Sequence, residues 1–567
     1  MKAERACPGY RNMVDLAFRD ESSAVIEKVK AKARARTELG NGSSSAPRKV
    51  SSRSKLSASS SPEPPEIFSS ASSSVISFAP SSIEDRGINC FLGNWVSKWS
   101  GPSHGYFNYC HELLGEDAMG SVLKTSIIAS GLAIEANAKR DSQLLVQARR
   151  NYAIALSKIN SALRSPAEAA KDSVLLAIIV LAVFETCCGS NQLSMKAWTE
   201  HINGASTLIR MRGRSQLNNK ISFGVFIYGT GQLLLSCMQR EIPMHPEILE
   251  LRKFAFSNIP SDTGWVFLRK CDECTVFRAA IKSGAIADPE LILSTALRLD
   301  NEMAQVFDNA SPGWMYETVY TDVESPLVFG GYYDIYYDHW IAQIWNGSRC
   351  VRLGLNENIR SQLVKGFTSN PPRFNTPQHL AQFQASTQII TQMRNEILRS
   401  VAQHVGLVPL SRKPFQSTAT PSNSMAPPLQ NLSSEFPEAP PSFISPLSSP
   451  DFVPYEPPYQ TLTPDPTFPA VGGYFLLWPI YFAAVTRVSQ PIHCVFAINV
   501  LNYIGENMGI RQASNMASFL QAHPAFRGRG MEKVKEGGVM GDINDWRMEG
   551  PMQLLREMFE REGESKS

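Results

Sequence analysis

Trp198–Gly213 reads WTEHINGASTLIRMRG. Trp198, Ile202, Ala205, Leu208 and Ile209 recur at the spacing that lines one face of an α-helix. Gly204 and Ala205 keep that face low, so a second helix can approach closely. Gly213 stands where a helix ends in the left-handed conformation. His201 falls one residue off the apolar stripe, a position of hydrogen-bonded or surface histidines. Upstream, Val174 to Phe184 is an unbroken apolar run. It is too short to span a bilayer and suits a buried helix against which the Trp198 face packs. The same period recurs near residues 110–138, 143–164, 171–187, 222–240, 265–282, 290–308, 326–352, 378–402 and 473–522. Strand alternation is nearly absent, and helix-stop residues such as Gly189, Pro243, Pro246, Pro260 and Pro289 separate the segments. The expected fold class is all-α: a large helical domain arranged as a helix-hairpin array, without a fixed-period repeat.

At 567 residues and 43% hydrophobic, the chain can bury a sizeable core. The net charge of +3 is unevenly spread. Residues 1–55 carry thirteen Lys or Arg against six Asp or Glu, a net +7, which leaves −4 for the rest. A basic arm on a mildly acidic body fits nuclear import or nucleic-acid contact better than catalysis. The ten cysteines follow no framework spacing and the start lacks an apolar run, which points to free thiols in a reducing compartment. Residues 19–40 read as a basic helix, with Lys28, Lys30, Lys32, Arg34 and Arg36 around Val25, Ile26 and Val29. A Ser-rich linker, 41–89, carries Arg48, Lys49, Arg53 and Lys55 and is expected to be disordered. The helical domain is expected over 90–525, interrupted by a Pro-rich acidic insert at 416–465, and followed by a loop and charged helix over 526–567.

The N-terminal residues, the remnant of a module over 1–18, set a different kind of pattern. Lys2, Ala3, Arg5, Cys7, Pro8, Gly9, Tyr10 and Arg11 resemble the last loop of the fungal binuclear zinc-cluster family, C-x-K-A-x-R-x-C-P-G-Y-R. By that resemblance Cys7 is the sixth zinc ligand, and the fifth would fall one position ahead of Met1. One thiolate cannot hold two zinc ions, and a small zinc module has almost no core without its metal. The cofactor implied is zinc only where an upstream segment supplies the other five ligands; the sequence as it stands needs none. Trp198–Gly213 in turn resembles the W-x2-H-x2-G-A-x2-L-x3-R-G pattern of the fungal-specific transcription factor regulatory domain, type 2. Gly472–Pro479 resembles its G-G-Y-x-L-L-W-P element, and Ile504–Ala513 its I-G-x-x-M-G-I-x-Q-A end. The resemblance implies a nuclear regulator of RNA polymerase II genes. The implied partners are DNA if the zinc cluster is complete, the transcription machinery, and a homo- or heterodimeric mate, with no membrane. The alternatives are a non-DNA-binding protein that modulates intact relatives, and a helical small-molecule sensor.

No enzyme signature stands out: there is no G-x-S-x-G, no P-loop and no H-E-x-x-H, and Gly229-Thr230-Gly231 is a lone G-x-G. Cys271 and Cys274 form an isolated C-x2-C inside a helical stretch, and Cys187–Cys188 and His493–Cys494 are equally unsupported as metal ligands. Tyr332, Tyr333, Tyr336, Tyr337, His339 and Trp340 read as an aromatic helix, a core element or the lining of a small-molecule pocket. In the insert, acids interleave with Phe436, Phe443, Phe452 and Tyr455, and no Lys or Arg occurs between Lys413 and Arg487. Acids keep such aromatics solvated and available to a partner groove, so these four mark a candidate activation segment.

Overall fold

A computed structural model describes residues 82–116, 121–189, 192–415, 464–465 and 468–522. Cys7, the basic residues between Lys28 and Lys55, the aromatics Phe436, Phe443, Phe452 and Tyr455, and the C-terminal segment from 523 lie outside the described residues. The described chain is all-α apart from one small hairpin. Its helices are α1 (Ile83–Trp95), α2 (Cys110–Glu116), α3 (Val122–Ala138), α4 (Ser142–Ala162), the short α5 (Pro166–Ala169), α6 (Asp172–Cys188), α7 (Gln192–Arg212), α8 (Lys220–Arg240), α9 (Pro246–Ser257) and α10 (Thr263–Ser283). They continue with α11 (Pro289–Ala304), α12 (His339–Phe367), α13 (Pro377–His404), α14 (Ala470–Val485), α15 (Pro491–Asn507) and α16 (Arg511–Ala522).

Two helices organise the core. In α6 every residue from Val174 to Phe184 is buried, and the helix is ringed by α3, α4, α7, α8 and α16. A helix that is apolar all round is buried all round, each fully covered Leu, Ile or Val contributing about 1.5–3 kcal/mol. On α7, Trp198, Ile202, Ala205, Leu208 and Ile209 are all buried toward this partner. Gly213 takes a φ of +56° at the end of α7. His201 is buried and hydrogen-bonded, its Nε2 3.0 Å from the Tyr152 hydroxyl.

The second hub, α14, packs on α1, α12, α13 and α15. Its first turn contains Gly472 and Gly473 because neighbouring segments of the chain leave no room there. A Cβ at Gly472 would stand 2.4 Å from the His404 carbonyl oxygen, and one at Gly473 2.9 Å from the Ile504 side chain. Asn94 of α1 accepts the Ala470 amide at 2.9 Å, and the Asn137 amide donates to the carbonyls of Cys187 at 2.7 Å and Gly509 at 3.1 Å. The C-terminal helices thus return to the first ones, and one continuous apolar cluster runs through the described body.

Three expectations are corrected. The domain does not begin at 90: α1 starts at Ile83, with the Ser82 hydroxyl accepting the Asp85 amide at 3.0 Å. Residues 326–338 are not helical. β1 (Glu317–Tyr320) and β2 (Tyr332–Ile335) form an antiparallel hairpin pairing Glu317 with Ile335, and Gly330 and Gly331 both have positive φ just ahead of β2. Buried Asp334 holds β2 in place, accepting from Thr318 at 2.7 Å, Tyr336 at 3.0 Å and Arg399 at 3.3 Å. Finally, the insert is shorter at its C-terminal end than 465. The Asp465 amide donates to the Gly406 carbonyl at 3.1 Å, while on the other side Phe415 and Arg412 bind the Glu317 carboxylate at 2.6 and 2.9 Å.

Candidate functional site

A cavity of about 250 Å³ opens where α8, α10, α12 and α14 converge on the loop between α1 and α2. The loop is a tight hairpin. Ser97 and Tyr106 exchange backbone hydrogen bonds of 2.9 and 3.0 Å, and Gly105 at its base has a φ of +68°, where a Cβ would meet the Ser97 carbonyl at 2.4 Å. This geometry sets His104 among three indoles. Its ring lies 4.4 Å from Trp99, 4.3 Å from Trp265 and 4.4 Å from Trp340, centroid to centroid. Asp262 fixes the imidazole at 2.5 Å and, with its other oxygen, caps α10 by accepting the Trp265 amide at 2.9 Å.

The remaining walls are largely aromatic. Tyr106, Tyr109, Phe223 and Tyr228 face Phe267 and Trp340 across the space, and Tyr474, Phe475 and Trp478 of α14 form the far side. The lone G-x-G of the sequence now has a physical reason. A Cβ on Gly229 would press to 2.9 Å on Ile209 of α7, whereas one on Gly231 meets nothing within 4 Å, because that side faces the cavity. Gly224 and Gly347 admit the rings of Tyr109 and Phe267, which lie 2.1 and 2.7 Å from where a Cβ would be.

Polar groups on the walls fall into two sets. In the first, partners are complete. Gln232 donates to the Tyr106 hydroxyl at 3.2 Å and accepts from the Tyr474 hydroxyl at 2.8 Å. Tyr228 donates to the Asn108 side chain and accepts the Asn108 amide at 3.0 Å. Burial pushes the Tyr106, Tyr228 and Tyr474 phenols up, so all three stay protonated at neutral pH. In the second set, partners are missing. Gln239, 2% exposed, has neither its amide nitrogen nor its oxygen bonded, and the Nε of buried Arg278 is likewise unpaired. The Arg278 charge is met by Glu241 at 2.8 Å. The two wall thiols, Cys271 and Cys350, are pushed up by burial, Cys350 to about 12, so neither is a thiolate nucleophile at neutral pH.

Residues 95–240 match the family model of the fungal specific transcription factor domain. The chain carries a fungal specific transcription factor domain. The matched stretch runs from the last residue of α1 to the end of α8, and includes the Trp198 helix and the hairpin that holds His104. No curated protein and no solved structure matches the chain. The transcription factor domain thus supplies two walls of the cavity, and the helices beyond residue 240 supply the rest.

Of the aromatic group read as a pocket lining, only Trp340 reaches the cavity wall. Tyr332 and Tyr333 sit on β2, Tyr336 is buried against Arg349 at 2.7 Å, and His339 binds the Gln403 carbonyl at 3.1 Å. Cys271 and Cys274 are buried along α10, and no group of three or more potential metal ligands occurs among the described residues. Sequence reasoning missed Gln239, Trp265, His104 and Trp99. The clustered Gly and aromatic residues of Trp99–Tyr109 and of α8 were the available signal.

Proposed function

We propose that this protein regulates RNA polymerase II transcription in the nucleus, its helical body governing a zinc-cluster DNA-binding module. The observation that carries the reading is the transcription factor domain over residues 95–240, built into one helical body that continues to Ala522. The Cys7 loop and the basic residues 28–55 supply the DNA-side resemblance, with zinc as the metal of a complete cluster and DNA as its partner. The insert, with Phe436, Phe443, Phe452 and Tyr455 among acids, supplies a surface for the transcription machinery. Regulation rather than catalysis is what such a domain does, and the protonated thiols and phenols of the cavity agree with it.

The test is a reporter assay in a fungal cell, with the full chain fused to a heterologous DNA-binding domain. Reporter expression is expected to change at least severalfold relative to the DNA-binding domain alone. Replacing the four insert aromatics with Ser should reduce an activating effect without changing net charge. Expression equal to the DNA-binding domain alone, in either direction, refutes the reading.

A further inference from the structure

We propose that the cavity between α8, α10, α12 and α14 binds a neutral, flat, largely aromatic small molecule that carries a hydrogen-bond donor and acceptor side by side, as a cyclic amide does. The proposal names an input for the regulatory body and rests on the reading above only for its consequence in transcription.

Size and wall chemistry set the first part of this class. An apolar cavity of about 150 Å³ holds a benzene ring, so 250 Å³ takes two or three fused rings. The walls offer indole and phenol faces, against which flat rings stack favourably. Charge sets the second part. The wall residues include no carboxylate and no lysine. The two side chains able to carry positive charge, Arg278 and His104, already face Glu241 and Asp262. An ionised ligand would therefore be buried without a free counter-charge, which strongly disfavours it.

Gln239 sets the third part. A buried primary amide with both its donor and its acceptor unpaired is costly in a protein interior. Gln232, two turns earlier on the same helix, shows the satisfied alternative, each end of its amide taken by a tyrosine. The Gln239 amide is complementary to a ligand edge with adjacent N–H and C=O groups, which would pair with it in two parallel hydrogen bonds. Gln239 is itself among the residues that line the cavity.

The test uses the purified full chain and two probes of matching shape, 2-quinolinone, a bicyclic cyclic amide, and naphthalene, which lacks the polar edge. Calorimetry should show saturable binding of 2-quinolinone, at least about tenfold tighter than naphthalene. Gln239→Leu should remove that difference while leaving naphthalene binding in place. It breaks no hydrogen bond, so its melting temperature should equal or exceed the parent's. Gly231→Leu should block both probes by filling the cavity. Absence of saturable binding, equal affinity for the two probes, or a preference that survives Gln239→Leu each overturns the proposal. Binding that follows this pattern in a chain inactive in the reporter assay would uphold the site and refute the transcriptional reading; reporter activity with silent calorimetry would do the reverse.

Discussion

The crossing of α1 and α3 makes a sharp stability prediction. At the contact of α1 with α3 both backbones are glycine. A Cβ at Gly131 would lie 1.8 Å from the Gly87 carbonyl oxygen and 2.9 Å from the Phe91 amide nitrogen, and one at Gly87 would lie 2.9 Å from the Ile128 carbonyl. An ordinary contact begins at 3.4 Å, so Gly131→Ala must drive the helices apart by roughly 1.5 Å, and the obstacle is backbone that cannot rotate away. A gap above 1 Å forfeits about half of the dispersion energy of facing atoms, here around the buried Phe91 and Ile128. Overpacking of this kind costs about 3 kcal/mol, and the better helix propensity of Ala returns about 1 kcal/mol. The net loss is about 2 kcal/mol, a fall in melting temperature of roughly 2–3 °C for a body of this size. Gly93 is the internal control. It lies on the exposed side of α1 with nothing within 4 Å of its Cβ position, so Gly93→Ala should stabilise by about 0.5–1 kcal/mol. Thermal unfolding of both variants by circular dichroism decides the matter. If Gly131→Ala melts at or above Gly93→Ala, the helices do not cross at these glycines.

Trp198→Ala should cost about 3–5 kcal/mol, because a large buried ring leaves a cavity against α6, while replacing residues 416–463 by a Gly/Ser linker should cost under about 1 kcal/mol in the same urea titration. His404 donates from Nδ1 to the Gly472 carbonyl at 3.0 Å and accepts the Asn346 amide on Nε2 at 3.2 Å, and burial lowers it to about 3. The fold therefore holds it neutral. Its contribution is complete above the unfolded-chain value near 6.5 and is lost as pH falls from there toward 3. Unfolding free energy should drop by about 2 kcal/mol more between pH 7 and pH 5 in the parent than in His404→Gln; equal slopes would place the imidazole in water. Changing Lys28, Lys30, Lys32, Arg34, Arg36, Arg48, Lys49, Arg53 and Lys55 to Ala should move a fluorescent fusion from nucleus to cytoplasm. An unchanged nuclear signal rejects an import role for the arm.

The helices were legible because their burial is one-sided or complete, and both leave a period in the sequence. α7 and α6 are the clearest cases. Pro246 stands as a separator in the sequence, yet it is the first residue of α9, where the missing N–H costs nothing, so the sequence pattern conceals that helix. The Tyr332–Tyr337 aromatics fit a helical stripe in isolation, but the Gly330–Gly331 turn and the burial of Asp334 pull Tyr332 and Tyr333 into a strand. The cavity was less legible still. Trp340 was noticed through its aromatic neighbours. Gln239, on an ordinary amphipathic helix, becomes informative only when its surroundings show that nothing pairs with it. Such a property belongs to the packing of segments more than two hundred residues apart, and no local pattern encodes it.

The hydrogen bond between Gly406 and Asp465 brings the two ends of a long excursion within one peptide spacing of each other, and Glu317 anchors the departing strand. Closure of a loop whose ends are already joined grows only with the logarithm of its length, about 0.6 kcal/mol per doubling. A longer or shorter connection between residues 415 and 464 therefore changes the closure cost of the fold very little. The same gate suits the experimenter: a folded reporter domain inserted between residues 415 and 464 should leave the helical core and its cavity intact.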